Sequence, residues 1–202
     1  MAVSQRGVVF FRNQDIGIDG QKLLGQRLGE LTGKPETSKL HRHALANSKR
    51  GIAVDENGKL DDEVSVISSE QNRKYYSDRF SHLSKRFAGE GWHAECVLVL
   101  LTKICNRSAD ARLSITFERI PSDYAILKIV QPPADADGDT LWASGYEAYD
   151  RLSPEFQKLA ESLTATHYQP NFVKVKDAFG ADLIDDYRGA PENTGLDFKA
   201  EQ

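Results

Sequence analysis

The apolar positions fall into short runs separated by longer polar stretches. Gly7-Val-Val-Phe-Phe-Arg12 is β-branched and aromatic, and it reads as a buried strand. Only six residues precede it, which leads us to expect missing upstream sequence. Asp19 is placed to cap a helix over residues 20–31, whose Leu23, Leu24, Leu28 and Leu31 share one face. Residues 32–62 are rich in Gly, Lys, Asn, Asp and Ser and read as loops. Glu63-Val-Ser-Val-Ile-Ser68 alternates as a half-buried strand does. Residues 69–91 are polar and poorly patterned, which suits a loop or lid.

The second half is denser in signals. Ile115–Phe117 and Tyr124–Val130 read as strands, as does Asp139–Ala143 after a turn-rich connection from Pro132 to Gly138. Ser144 and Glu147 have capping-box spacing. Ser153 stands ahead of Pro154 as a cap ahead of a first-turn proline. Phe156, Leu159, Ala160 and Leu163 then follow at helical spacing, predicting an amphipathic helix over 154–163. Thr164–Tyr168 is a further strand candidate. The tail after residue 176 is acidic, contains Gly and Pro, and reads as loosely ordered. Many short strands with few helices predict a mostly β fold with flanking helices, an antiparallel barrel or jelly roll.

Composition narrows the class. The chain has 202 residues, 26 basic and 30 acidic, with a net charge of -4 and 40% hydrophobic residues, an ordinary globular balance. No run of about 18 apolar residues exists to span a membrane, and residues 1–11 carry no secretory signal pattern. The basic residues are dispersed, so we expect no nucleic-acid partner. Cys96 and Cys105 are the two cysteines, too few for a disulfide scaffold, and they point to a reducing, cytoplasmic setting. The expected partner is a small-molecule substrate.

Three constellations could carry chemistry. His93-Ala-Glu95 places an imidazole and a carboxylate on one face of a strand, about 6.5–7 Å apart. With a second histidine they would form a facial metal triad; the plain alternative is a surface histidine beside a glutamate. In Gly138-Asp-Thr-Leu-Trp-Ala-Ser144, Thr140 could offer its hydroxyl to a ligand carboxylate, or the run is a turn entering a strand with Trp142 as core. His41-Arg-His43 could ligate a metal, but two solvated loop histidines are the better expectation. His82 and His167 stand without a motif. No phosphate loop, dinucleotide fingerprint or nucleophile elbow is present.

Together these runs say more than any one alone. Arg6–Asp15, Leu40–Asn47, Gly91-Trp-His-Ala94, Ile115-Thr-Phe-Glu-Arg-Ile-Pro-Ser-Asp-Tyr-Ala-Ile-Leu-Lys-Ile129 and Gly138–Pro154 occur in an order that resembles the TauD/TfdA family of iron(II)- and 2-oxoglutarate-dependent dioxygenases, most of all its eukaryotic sulfonate branch. The resemblance spans about residues 3–175, and Gly138-Asp-Thr-Leu-Trp-Ala-Ser-Gly-Tyr146 is its most specific part. It implies a double-stranded β-helix, Fe(II) as metal and 2-oxoglutarate as cosubstrate. It implies His93 as the first iron ligand, Thr140 on a 2-oxoglutarate carboxylate, and His43 in the sulfonate pocket, with Ala44 in place of the family's proline. Trp92 and Phe117 would lie beside the metal. The implied reaction hydroxylates the carbon next to a sulfonate, as in taurine, while 2-oxoglutarate is decarboxylated to succinate.

The sequence departs from the family in two places. The family reads W-H-x-D followed directly by a T-F-E strand, but here Glu95 is followed by residues 96–113 and then Ser114-Ile-Thr-Phe-Glu118. Fusing Glu95 and Ser114 into one Asp restores W-H-A-D-I-T-F-E, a net loss of 19 residues or 57 nucleotides. A retained intron accounts for this, and both cysteines fall inside it. The competing reading is a true insertion with Glu95 as the carboxylate ligand, as the unedited sequence stands. Secondly, the family's distal iron histidine and its 2-oxoglutarate arginine have no counterpart after the 138–154 run. The expectation is an incomplete β-helix over 1–202, lacking the C-terminal part of the domain and inactive alone. A non-catalytic jelly-roll binding module and a functionless gene-model fragment are the alternatives. Transcript reads across residues 95–114 are expected to include species lacking the 57 nucleotides. If every read carries them, the insertion is genuine.

Overall fold

The computed structural model describes residues 5–44, 57–59, 61–65, 115–131, 141–170, 172–173, 176–177 and 182–201. Its first long element, α1, spans Ile18–Leu31. Gly17, not Asp19, is the N-cap, and Asp19 lies in the first turn, where its charge favours the helix dipole. The helix closes in a Schellman motif. Gly33 takes φ 83°, its N–H reaches Glu30 O, and Lys34 N–H reaches Gly29 O. The leucine face does not become the packed face: Leu23, Leu24 and Leu31 are exposed. Instead Gly25 lies beside Leu40 and Ile126. Lys22 anchors α1 to the acidic run by meeting Asp61 Oδ2 at 2.8 Å and Glu63 Oε2 at 2.7 Å. Burial works against the Lys22 charge, but these two carboxylates outweigh it and raise its pKa.

Both helix starts predicted in the second half are present. Ser144 accepts from Glu147 N–H and opens α2, Gly145–Asp150. Ser153 accepts from Phe156 N–H and opens α3, Pro154–Glu161, with its proline in the first turn. β1, Thr166–Tyr168, follows as the shorter form of the predicted strand.

The remaining strand expectations are corrected where they can be compared. Residues 8–12, 124–130 and 141–143 join no ladder among the described residues, and 62–64 bend. Ile115–Phe117 is a 3-10 turn. An alternating or β-branched run has the right side-chain period, but a strand needs a neighbouring edge to take its N–H and C=O groups. Among the described residues the one such edge is β2, Lys199–Glu201, antiparallel to β1 with His167 opposite Ala200. Trp142 is exposed and meets Phe10 edge-on at 5.9 Å, so it is not a core residue.

The tail read as loosely ordered instead supplies much of the interior. Ile184, Arg188, Ala190, Asn193, Phe198 and Ala200 are all buried. Phe117, Phe172 and Phe198 form a triangle of edge-to-face rings with centroids 5.2–5.7 Å apart. Asn193 joins the tail to residue 120, its side chain accepting from Ile120 N–H at 2.9 Å and donating to Ile120 O at 2.7 Å. No described helix is long and apolar enough to cross a membrane.

Phe198 touches both other rings and is 1% exposed. Phe198→Ala is expected to destabilise the chain by about 3–5 kcal/mol in urea denaturation. A loss below about 1 kcal/mol would mean that the ring triangle does not hold the tail in place.

Candidate functional site

The site is built from three stretches of chain: residues 39–44, the 3-10 turn with Glu118, and residues 182–198. Glu118 lies at the turn's end, where its N–H bonds Ile115 O. Its carboxylate is 2% exposed, and so is Arg188 opposite it. Arg188 Nε donates to Oε1 at 2.7 Å and Nη2 donates to Oε2 at 2.9 Å, a two-pronged pairing that matches the guanidinium fork to the carboxylate plane. Arg188 Nη1 also donates to Ile184 O and Gly195 O, both at 2.8 Å. The guanidinium lies 5.1 Å from the Phe198 ring centre.

His41 completes this cluster, with Nε2 at 3.4 Å from Glu118 Oε1. Burial alone would push the Glu118 carboxyl up. The hydrogen bonds from His41 and Arg188, with their charges, outweigh burial and hold it below the ordinary carboxylate range.

His43 lies two residues further on, half-buried. Its ring meets Phe172 edge-on at 5.4 Å. Phe172 in turn packs on Phe117 at 5.4 Å. The two sequence-predicted residues that fall within the described chain, His43 and Phe117, are thus joined through one intervening ring. The expectation of two solvated loop histidines at 41 and 43 is overturned: one faces a buried carboxylate and the other an aromatic wall. Arg42 between them points the opposite way, to Asp62 Oδ2 at 2.7 Å, to Asp186 Oδ1 at 3.1 Å and to Tyr187 O at 3.1 Å. This alternation is the period-2 geometry of an extended segment.

His167 projects from β1 toward the same turn, with Nδ1 at 2.8 Å from Thr116 Oγ1. Its Nε2 is buried with no hydrogen-bond partner among the described residues, and burial lowers its pKa. His93, Glu95, Thr140, Trp92, His82, Cys96 and Cys105 lie outside the described residues. Among the described residues no three His, Cys, Asp or Glu side chains converge to hold a metal ion.

Sequence reasoning missed Arg188, Glu118, Phe172 and Asn193. A partial signal existed for one of them. Glu118 ends the T-F-E run, and an acid following an apolar strand-like segment needs a cation if it turns inward. Nothing in the sequence pairs it with an arginine 70 positions away.

The profile described as "Taurine catabolism dioxygenase TauD, TfdA family" matches residues 108–195. Its span covers Glu118, Thr140 and Arg188, but not His43 or His93. The chain is 39% identical to an alpha-ketoglutarate-dependent dioxygenase, btcD, of Neocamarosporium betae, over 98% of this chain and 52% of that protein. It is 34% identical to the alpha-ketoglutarate-dependent dioxygenase oryG of Aspergillus oryzae, over 98% of this chain and 50% of that protein. It is 26% identical to an alpha-ketoglutarate-dependent sulfonate dioxygenase of Saccharomyces cerevisiae, over 83% of this chain and 31% of that protein. The chain spans about half the length of the first two. No solved structure matches it.

The Glu118 shift has a direction that can be measured. A carboxyl held low in the folded state contributes stability that is full above its unfolded pKa and is lost as pH falls through the folded one. Arg188→Met strands Glu118 as a buried, unpaired carboxylate, at a cost of about 3–5 kcal/mol at neutral pH. Burial alone pushes the stranded carboxyl up, so at acid pH it is protonated and the difference from wild type should shrink. Urea denaturation at both pH values checks this, and an equal difference at each would sink it.

Proposed function

The chain belongs to the TauD/TfdA dioxygenase family, and from that premise we propose that its family activity is the oxidation of a small sulfonate-type acid, with this chain inactive by itself. Membership implies a jelly-roll fold and 2-oxoglutarate as cosubstrate. The observation that carries the proposal is the 39% identity to an alpha-ketoglutarate-dependent dioxygenase along 98% of this chain. The sulfonate reading is supported by the name of the Saccharomyces cerevisiae relative and by the half-buried His43 at an aromatic wall.

In this reading His93 and Glu95 hold ferrous iron, and Thr140 donates its hydroxyl to a 2-oxoglutarate carboxylate. Ferrous iron and 2-oxoglutarate, when bound, supply the oxidising chemistry: O2 is consumed, 2-oxoglutarate loses CO2 to become succinate, and the substrate carbon gains a hydroxyl group. His43 binds the substrate anion through an imidazole N–H. Phe172 backs that imidazole and limits the positions it can take, and with Phe117 it keeps water from that side of the pocket. Residues 96–113 are a retained intron in this proposal, and their removal puts one Asp in the place of Glu95 and Ser114 as the carboxylate ligand.

The five histidines of the chain are His41, His43, His82, His93 and His167. The resemblance assigns none of them to the distal iron position. The chain by itself therefore offers two of the three protein ligands, and two hold ferrous iron far less specifically than three. The non-catalytic binding module is the runner-up. It keeps His43 and Thr140 as ligand groups without turnover.

An anaerobic calorimetric titration of the purified chain with Fe(II) and 2-oxoglutarate, followed by a succinate assay with taurine, ascorbate and O2, tests the proposal. Binding of 2-oxoglutarate that weakens in Thr140→Ala, without succinate release, is the expected result. Binding unaffected by His93→Ala would favour the metal-free binding module. No binding at all would remove the dioxygenase reading for this chain. Succinate release would overturn the two-ligand argument and leave the activity standing.

A further inference from the structure

Residues 184–189 lie along residues 39–44 and grip them from several directions. Lys39 N–H donates to Gly189 O at 2.6 Å, and Ile184 N–H donates to Ala44 O at 2.8 Å. These two bonds hold the gripped segment at both ends. Tyr187 Oη donates to Thr37 O at 2.6 Å, just before it. Arg42 reaches back to Asp186 Oδ1 and Tyr187 O. Gly189 has φ 105°, and a Cβ there would come within 3.0 Å of His41 Cα and 3.2 Å of His41 N. Glycine is needed at that position for its conformation and for the close approach of the two backbones.

Arg188 closes the grip from inside. Its two bonds fix both oxygens of Glu118, and one of those oxygens faces His41 Nε2. His43 is the next residue on the same side of the extended segment, and its ring is stopped by Phe172. A buried, fully bonded arginine thus acts on the pocket through two intermediates, Glu118 and His41. It also lies over Phe198, which packs on Phe172.

We propose that Arg188 is a positioning residue for substrate binding: with Gly189 and Glu118, it sets the path of residues 39–44 and so the place of His43. This deepens the sulfonate reading above and rests on it. The physical cost of losing the grip is small in ångströms but large in affinity, because an N–H displaced from a bound anion no longer bonds it. The 2-oxoglutarate end of the site is assigned to Thr140 and not to residues 39–44, so binding there should be unaffected.

The test uses the full chain with two variants. Arg188→Lys keeps a buried cation on Glu118 but loses the fork. Gly189→Ala keeps the ion pair but crowds the His41 backbone. Amide hydrogen exchange at residues 40–44 is read against α1, and the dissociation constants of taurine and 2-oxoglutarate are measured by calorimetry. Both variants are expected to speed exchange at 40–44 by about ten-fold, leaving α1 unchanged. Both should weaken taurine by about ten-fold and leave 2-oxoglutarate within about two-fold. Unchanged exchange at 40–44 in both variants overturns the proposal. So does exchange that rises equally in α1, since that marks a general loss of stability. So does taurine affinity that holds while exchange rises. Should the wild-type chain bind no taurine, the sulfonate reading fails, and the exchange measurement alone decides whether Arg188 positions the segment.

Discussion

Glu118 and Arg188 form an ion pair withdrawn from water on both sides, each side chain 2% exposed. Taking two charges out of water is expensive, and their attraction offsets the cost only if the remaining hydrogen-bonding groups are also met. Here they are. Both carboxylate oxygens accept from the guanidinium, and the third nitrogen donates to Ile184 O and Gly195 O. The pair is therefore strongly conditional. It holds only while residues 118, 184, 188 and 195 all keep their places, which ties the 3-10 turn to the tail. Phe198 lies under the guanidinium, and Phe117 and Phe172 pack on Phe198.

That constraint extends to residues 39–44. His41 faces Glu118, Gly189 faces the His41 backbone, and His43 faces Phe172, so a single extended segment is held on several sides. Arg42 and Lys22 connect the other side of this unit to the acidic run, through Asp61, Asp62 and Glu63. The charges that composition reports as a mildly acidic surface are here partly internal struts.

What was legible in the sequence was mostly local. The Ser144 and Ser153 caps, the Pro154 helix start and β1 are set by residues within a turn of one another, and each is present. Family membership was also legible, because it rests on ordered short motifs rather than on packing. His43 was singled out by resemblance, while the spacing of His41 and His43 alone suggested solvated loops. The acidic Gly- and Pro-containing tail was misread because its order comes from partners outside it. Arg188, Asn193 and Phe198 bond or pack against residues 117–120, about 70 positions earlier.

The division follows from the range of the forces. The sequence by itself determined the helix starts at Ser144 and Ser153 and the family, since capping and motif order depend on neighbouring residues. Tertiary structure alone decided which apolar runs pair and which polar groups are buried. Residues 124–130 are as apolar and β-branched as a buried strand, yet no ladder forms among the described residues. Thr166–Tyr168 pairs because Lys199–Glu201 is brought beside it. A carboxylate and a guanidinium have the same local signature whether solvated or buried. Only the fold brings Glu118 and Arg188 within 2.7 Å and excludes the water that would otherwise separate them.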